Sequence, residues 1–175
     1  YFTDKALRVL RNDSLKGKKV VVSGAGNVAI YAAEKAIQLG AKVLTMSDSN
    51  GWIYDENGIN LEVVKQIKEV KRGRIKEYLN EVGSAEYGEN CKDIWNVVCD
   101  VALPCATQNE LDENSAETLI RNGVICVAEG ANMPSTPEAV ELFQSSGMLY
   151  APGKAANAGG VATSALEMSQ NSLRL

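Results

Sequence analysis

The chain contains no histidine. That absence removes Ser-His and Cys-His nucleophile pairs, so chemistry must rest on carboxylates, lysines or a cofactor, and a cofactor is expected. The cysteines Cys91, Cys99, Cys105 and Cys126 include no C-x-x-C pair. No metal site of familiar zinc-ligand spacing is expected; reduced, mostly buried thiols are. Basic residues are not in excess: 18 Lys and Arg face 22 Asp and Glu, a net charge of -4. A broad surface for nucleic acid or anionic membrane is therefore excluded, and any phosphate site must be local. No apolar run reaches the roughly 20 residues of a membrane span. The stretch from Tyr1 to Asn12 is charged and amphipathic rather than a signal peptide, so a cytoplasmic address is expected. Internal repeats and low-complexity linkers are also missing, and 175 residues at 45% hydrophobic suit one domain with one well-buried core.

What is present alternates. Thr3 and Asp4 open a short helix through Leu7 and Leu10, and Lys19 to Ser23 is a valine-rich strand. After a glycine loop, Val28, Ala29, Ala32, Ala33, Ala36 and Ile37 recur at helical spacing until Gly40 stops the helix. A second strand follows from Lys42 to Ser47, completing a βαβ unit whose crossover is right-handed. The spacing then predicts helical segments from Leu61 to Leu79, interrupted near Gly73, and a looser stretch from Gly83 to Lys92. Strands are expected at Asn96 to Leu103, Val124 to Ala128 and Met148 to Ala151. Helices are expected at Asn114 to Arg121, from Pro137, and from Gly160 onward. Strands this apolar, separated by helices, imply an α/β fold: a doubly wound, mostly parallel sheet with helices on both faces and a ligand at the carboxyl ends of its strands.

The loop Gly24-Ala25-Gly26-Asn27-Val28-Ala29 leaves a strand and enters a helix, the context in which G-x-G-x-x-A binds a dinucleotide. Gly24 permits the tight turn, Gly26 lets backbone approach a pyrophosphate, and the helix start at Asn27 and Val28 offers free N-H groups. Asp48, ending the second strand, stands where a carboxylate receives ribose hydroxyls, which alone favours NAD. Ser49 and Asn50 are small hydrogen-bonding groups suited to a 2′-phosphate. Lys65, Lys68, Arg72 and Lys76 fall near one helical face, Lys68 and Arg72 being the candidates for such a contact. The bland alternative for these cations is a solvated charged face.

Three later segments carry a resemblance: Ala102-Leu103-Pro104-Cys105-Ala106-Thr107-Gln108-Asn109-Glu110, Ala128-Glu129-Gly130-Ala131-Asn132-Met133-Pro134, and the run from Pro152-Gly153-Lys154 to Ala162-Thr163-Ser164. In this order, after that glycine loop, they make the chain resemble the hexameric glutamate dehydrogenases over essentially its full length. The resemblance implies oxidative deamination of L-glutamate to 2-oxoglutarate and ammonium, with hydride passing to a nicotinamide cofactor. It implies that Ala106 and Thr107 line the cofactor, that Asn132 reaches the nicotinamide ribose and that Asn157 holds the carboxamide. Val161 and Ser164 would face the substrate, the Ser164 hydroxyl meeting the distal carboxylate; its alternative is a hydroxyl bonding its own helix. Ser47-Asp48-Ser49-Asn50-Gly51 looks more like the NADP-preferring members, with NAD still open.

In the resembled family, the lysine and aspartate of catalysis lie in an N-terminal substrate domain that no segment here resembles. No catalytic residue is assigned, and the chain is expected to bind cofactor without turnover, as a monomer or weak dimer, where the intact enzyme is a homohexamer. Two alternatives stand: a leucine- or phenylalanine-type amino-acid dehydrogenase, and a non-catalytic nucleotide-binding module.

Overall fold

Val20, Val21 and Val22 are β-branched and wholly buried, a run that suits a central strand covered on both faces. In the computed structural model, which describes residues 1–173, they belong to β1 (Lys19–Val22). With β2 (Lys42–Asp48), β3 (Gly51–Tyr54), β4 (Glu86–Gly88), β5 (Val101–Leu103), β6 (Cys126–Ala128) and β7 (Leu149–Ala151) it forms a sheet ordered β4-β3-β2-β1-β5-β6-β7. The strands from β2 to β7 across β1 are parallel. β3 and β4 add an antiparallel edge.

Successive strand residues feed opposite cores, as the period of two demands. Val20, Val22, Val101, Leu103, Cys126 and Ala128 pack on one face with Leu7 of α1 (Phe2–Arg11), with α2 (Asn27–Gln38), α3 (Leu61–Lys65) and with Tyr78 of α4 (Tyr78–Glu81). Val21, Ala102 and Val127 pack on the other with α5 (Glu113–Arg121) and α6 (Pro137–Ser145). The doubly wound architecture expected from the alternation is the one observed. In α2 the buried side is small, Ala29, Ala33 and Ala36 around Ile30, so the helix lies close to the sheet; Ile30 burial alone stabilises by about 1.5–3 kcal/mol. Local signals set the ends: Gly40 takes φ 86° after α2, the Asp112 carboxylate accepts the Ser115 N-H at the start of α5, and Thr136 with Pro137 opens α6.

Four expectations change. Gly51 to Tyr54, assigned no element from sequence, is strand β3, joined to β2 by the two-residue turn Ser49-Asn50; Tyr87 in the looser stretch belongs to β4. The strand expected from Asn96 is only β5, because Asn90 caps a tight 3-10 turn over Cys91–Asn96 that buries Ile94 and Trp95. The basic stretch is interrupted near Gly73 as expected, but it is not regular α-helix before the break: α3 widens to a π-turn over Gln66–Val70 and the helical stretch ends at Arg72 with φ 52°. Lys65, Lys68, Arg72 and Lys76 therefore share no face. Lys65 pairs with Glu34, Lys68 with Asp48, and Lys76 lies over the Tyr87 ring. Finally, α7 (Gly153–Ala156) precedes the last helix, α8 (Ala158–Leu173), which starts two residues early; its expected continuation lies outside the described residues.

Candidate functional site

The sheet order reverses at β1, with β2 on one side and β5 on the other, and a crevice opens at their carboxyl ends. A local irregularity helps to open it. The β1–β2 register slips so that Val21 faces Thr45, and the Thr45 hydroxyl takes over the ladder, accepting the Val22 N-H and donating to the Val22 carbonyl, both at 3.1 Å. Beyond that point two buried serines hold the strand ends: Ser47 Oγ accepts the Gly24 N-H at 2.7 Å, and Ser23 Oγ accepts the Cys105 N-H at 2.9 Å.

The resulting cavity measures about 740 Å³. Its floor is the glycine loop. Gly24 has φ +88°, and a Cβ there would lie 2.9 Å from the Cys105 carbonyl oxygen, so no other residue fits. Gly26 differs: a Cβ there would meet nothing within 4 Å, because that side is the cavity itself. Gly26 is also the N-cap of α2 and supplies no capping side chain, and the first turn contains no acid. The N-H groups at the positive end of a 12-residue helix thus remain available to an anion.

The cavity's far wall is the turn after β2. Asp48 Oδ1 accepts the Asn50 N-H at 2.9 Å, and Oδ2 accepts the Ile75 N-H at 2.8 Å with Lys68 Nζ at 3.5 Å. Burial pushes this carboxyl up, but those N-H groups with the Lys68 and Arg74 charges outweigh it, and the net shift is downward. Arg74 donates to Ser49 Oγ at 2.9 Å. Lys68 is also held by the Gly73 carbonyl at 3.0 Å, so two cations are fixed at this wall of the cavity. On the β5 side, Glu110 accepts the Ala106 and Thr107 N-H groups at 2.9 and 3.3 Å, and burial pushes its carboxyl up.

Of the residues singled out from sequence, Gly24, Gly26, Asn27, Val28, Asp48, Ser49, Lys68, Ala106 and Thr107 come together around this cavity. Asn50 does not line it; its carbonyl accepts Tyr87 Oη in the hairpin turn. Arg72 is exposed and faces elsewhere, because its left-handed backbone ends the helical stretch, and the guanidinium at the cavity is that of Arg74. Asn132 is exposed on the β6–α6 loop, and Asn157 Nδ2 donates to the Ala131 carbonyl at 3.3 Å, so these two sit on neighbouring loops beyond the cavity lining. Val161 and Ser164 are exposed on α8, where it is Thr163 that bonds back to its helix, at Gly159. Arg74, Lys92, Trp95 and Glu110 were missed. Gly73-Arg74, a cation just past a helix-breaking glycine, was the available signal for the first; Lys92, Trp95 and Glu110 carry none in local sequence.

The residues present fit a dinucleotide: open helix N-H groups without a Cβ in the way, and a separate pair of cations suited to a further phosphate. A sequence model of the glutamate/leucine/phenylalanine/valine dehydrogenase family matches residues 1–175. The chain is 57% identical over 178 residues to an NAD(P)-specific glutamate dehydrogenase of Xylanibacter ruminicola, covering 100% of this chain and 39% of that protein. It is 56% identical over 179 residues to an NADP-specific glutamate dehydrogenase of Helicobacter pylori, covering 98% and 39%. A solved glutamate dehydrogenase of Plasmodium falciparum superposes with a TM-score of 0.92 at 51% identity, covering 98% of this chain and 37% of that one. The chain spans about 39% of the length of the curated relatives it matches. From the glycine loop to the last helix, it belongs to the glutamate/leucine/phenylalanine/valine dehydrogenase family.

Proposed function

We propose that residues 1–175 form the NADP-binding domain of a glutamate dehydrogenase that interconverts L-glutamate with 2-oxoglutarate and ammonium. The observation that carries this reading is the cavity at the switch point of the sheet, which is lined both by an uncapped helix start and by Ser49, Lys68 and Arg74. Gly24, Gly26, Asn27 and Val28 hold a pyrophosphate by backbone N-H groups, with the positive end of α2 behind them. Ser49, Lys68 and Arg74 hold the 2′-phosphate, Lys68 as a point charge and Arg74 with its planar fork. Ala106 and Thr107 line the opposite wall, their loop fixed by Glu110.

When bound, the nicotinamide ring supplies hydride acceptance and donation. Asn132 and Asn157 orient the ring's ribose and carboxamide, while Val161 and Ser164 face the substrate from α8. This reading gives the chain no catalytic acid or base; its task is to hold one reactant in place and dry. Assembly is that of a homohexamer in the intact enzyme, with NADP preferred and NAD accepted less well. The names of the relatives, NAD(P)-specific and NADP-specific glutamate dehydrogenases, support both the substrate and the cofactor.

Calorimetric titration of the 175-residue chain with NADP and NAD, at low and physiological salt, tests the binding half. NADP should bind more tightly than NAD, and its advantage should shrink as salt screens the exposed cations. Binding of neither cofactor would overturn the reading. Reduction of NADP by the full-length protein with glutamate, and not with leucine or phenylalanine, tests the substrate.

A further inference from the structure

Both oxygens of the carboxylate that ends β2 are already engaged. Asp48 Oδ1 is taken by the Asn50 N-H and Oδ2 by the Ile75 N-H and Lys68, and the side chain is only 8% exposed. A residue in this position whose task is to receive ribose hydroxyls would keep an oxygen turned to the ligand, and one that repelled a 2′-phosphate would need an uncompensated charge. Asp48 has both oxygens tied to the chain and its charge compensated by Lys68 and two N-H groups. Its two oxygens instead join three points of the chain: the hairpin turn after β2, the π-turn that carries Lys68, and the start of the 3-10 turn Ile75–Glu77. Arg74 directly precedes that start, and its guanidinium reaches back to Ser49, one residue from Asp48.

We infer that Asp48 is a positioning residue that sets cofactor preference through Arg74 and Lys68, rather than an acceptor for the adenosine ribose. This rests on the dinucleotide reading of the cavity. An acidic residue at this point would ordinarily argue for NAD; here it builds the site for the extra phosphate. Lys68 keeps a second anchor at the Gly73 carbonyl, so losing Asp48 displaces the Arg74 backbone more than it frees Lys68.

The two roles predict opposite signs. If Asp48 repels the 2′-phosphate, Asp48→Ala strengthens NADP binding. If it positions the cations, the same change leaves the Ile75 N-H without its acceptor, releases Arg74 and weakens NADP binding about tenfold, with NAD changed less than about threefold. Asp48→Asn retains one carbonyl acceptor and should fall between wild type and Asp48→Ala. Calorimetry on the wild-type chain and both variants, with NADP, NAD, and 2′,5′-ADP as a probe of the adenosine end alone, reads the difference. Loss confined to NADP and 2′,5′-ADP supports the inference. Tighter NADP binding, or equal losses for NADP and NAD, overturns it while leaving the dinucleotide reading intact. A wild-type chain that binds no nucleotide overturns both. If Asp48→Ala does not fold, Asp48→Asn decides by the same signs.

Discussion

Two glycines of one loop should fail in opposite ways when given a methyl group. At Gly24 the backbone has φ +88°, and an added Cβ would lie 2.9 Å from the Cys105 carbonyl oxygen and 3.2 Å from both Ala106 Cα and Ala29 Cβ. The left-handed conformation costs an alanine about 1–2 kcal/mol. Forcing a methyl against backbone that cannot swing aside adds about 1–3 kcal/mol more. Gly24→Ala should therefore destabilise the chain by about 2–5 kcal/mol, which at this size lowers Tm by roughly 4–20 °C. Gly26 has φ -85° and ψ -175°, extended backbone open to any residue, and an added Cβ meets nothing within 4 Å. Gly26→Ala should change stability by no more than about 1 kcal/mol, the difference between a glycine and an alanine N-cap. Its methyl stands in the crevice where the pyrophosphate approaches, so NADP affinity should fall at least about tenfold. Urea denaturation and calorimetry on the two variants separate the effects. Equal destabilisation by both, or wild-type NADP affinity in Gly26→Ala, would refute the assignment of one glycine to the turn and the other to the ligand.

Arg74→Ala should weaken NADP binding about 10- to 100-fold by removing a charged hydrogen bond, whereas Arg72→Ala should stay within about 0.5 kcal/mol of wild type in both stability and affinity; calorimetry on the pair distinguishes the cations. Lys92 holds the Asp112 carboxylate at 2.5 Å, and this contact, with the Ser115 N-H and hydroxyl, lowers the Asp112 pKa from 3.8 to about 2. The folded pKa lies below the unfolded one, so the stabilisation is complete above about pH 4 and disappears as pH falls toward 2. Urea midpoints for wild type and Asp112→Asn should converge over that window, and a constant difference would count against the pairing. Burial pushes the thiols of Cys99, Cys105 and Cys126 up to about 12, while Cys91 is half-buried at the cavity rim. A colorimetric thiol reagent should therefore label Cys91 first in the native chain, with the others reacting only on unfolding.

The glycine loop and the strands around it were legible because each signal there is local: a β-branched run, two glycines at fixed spacing, and an alanine face at helical period. The strand Gly51–Tyr54 was not, since Trp52, Ile53 and Tyr54 are too short a run to announce themselves and their pairing with β2 and β4 is set by tertiary contact. The cation pair shows the same limit more sharply. Helical spacing put Lys68 and Arg72 on one face, but the π-turn adds a residue per turn and the left-handed Arg72 ends the helix, so the register moves on and Arg74 arrives instead. Glu110 stood in a segment singled out from sequence, but its role was not legible for a different reason: what fixes it is a pair of backbone N-H groups three and four residues upstream, a contact open to any polar loop residue.

A chain of net charge -4 can hold a multiply charged anion because the sign of the whole says little about a crevice. What matters is which charges are already committed. Lys65 is paired to Glu34 and Lys92 to Asp112, so neither is a free cation for a ligand. Lys68 shares a carboxylate whose charge is spread over two backbone N-H groups as well, and the Arg74 guanidinium donates to the uncharged Ser49 hydroxyl and lies near that same carboxylate. Two positive charges facing one diffuse negative charge leave a positive remainder at one end of the crevice, and the uncapped start of α2 supplies another along its floor. Those two remainders, lining one crevice, suit it to a dinucleotide carrying a third phosphate.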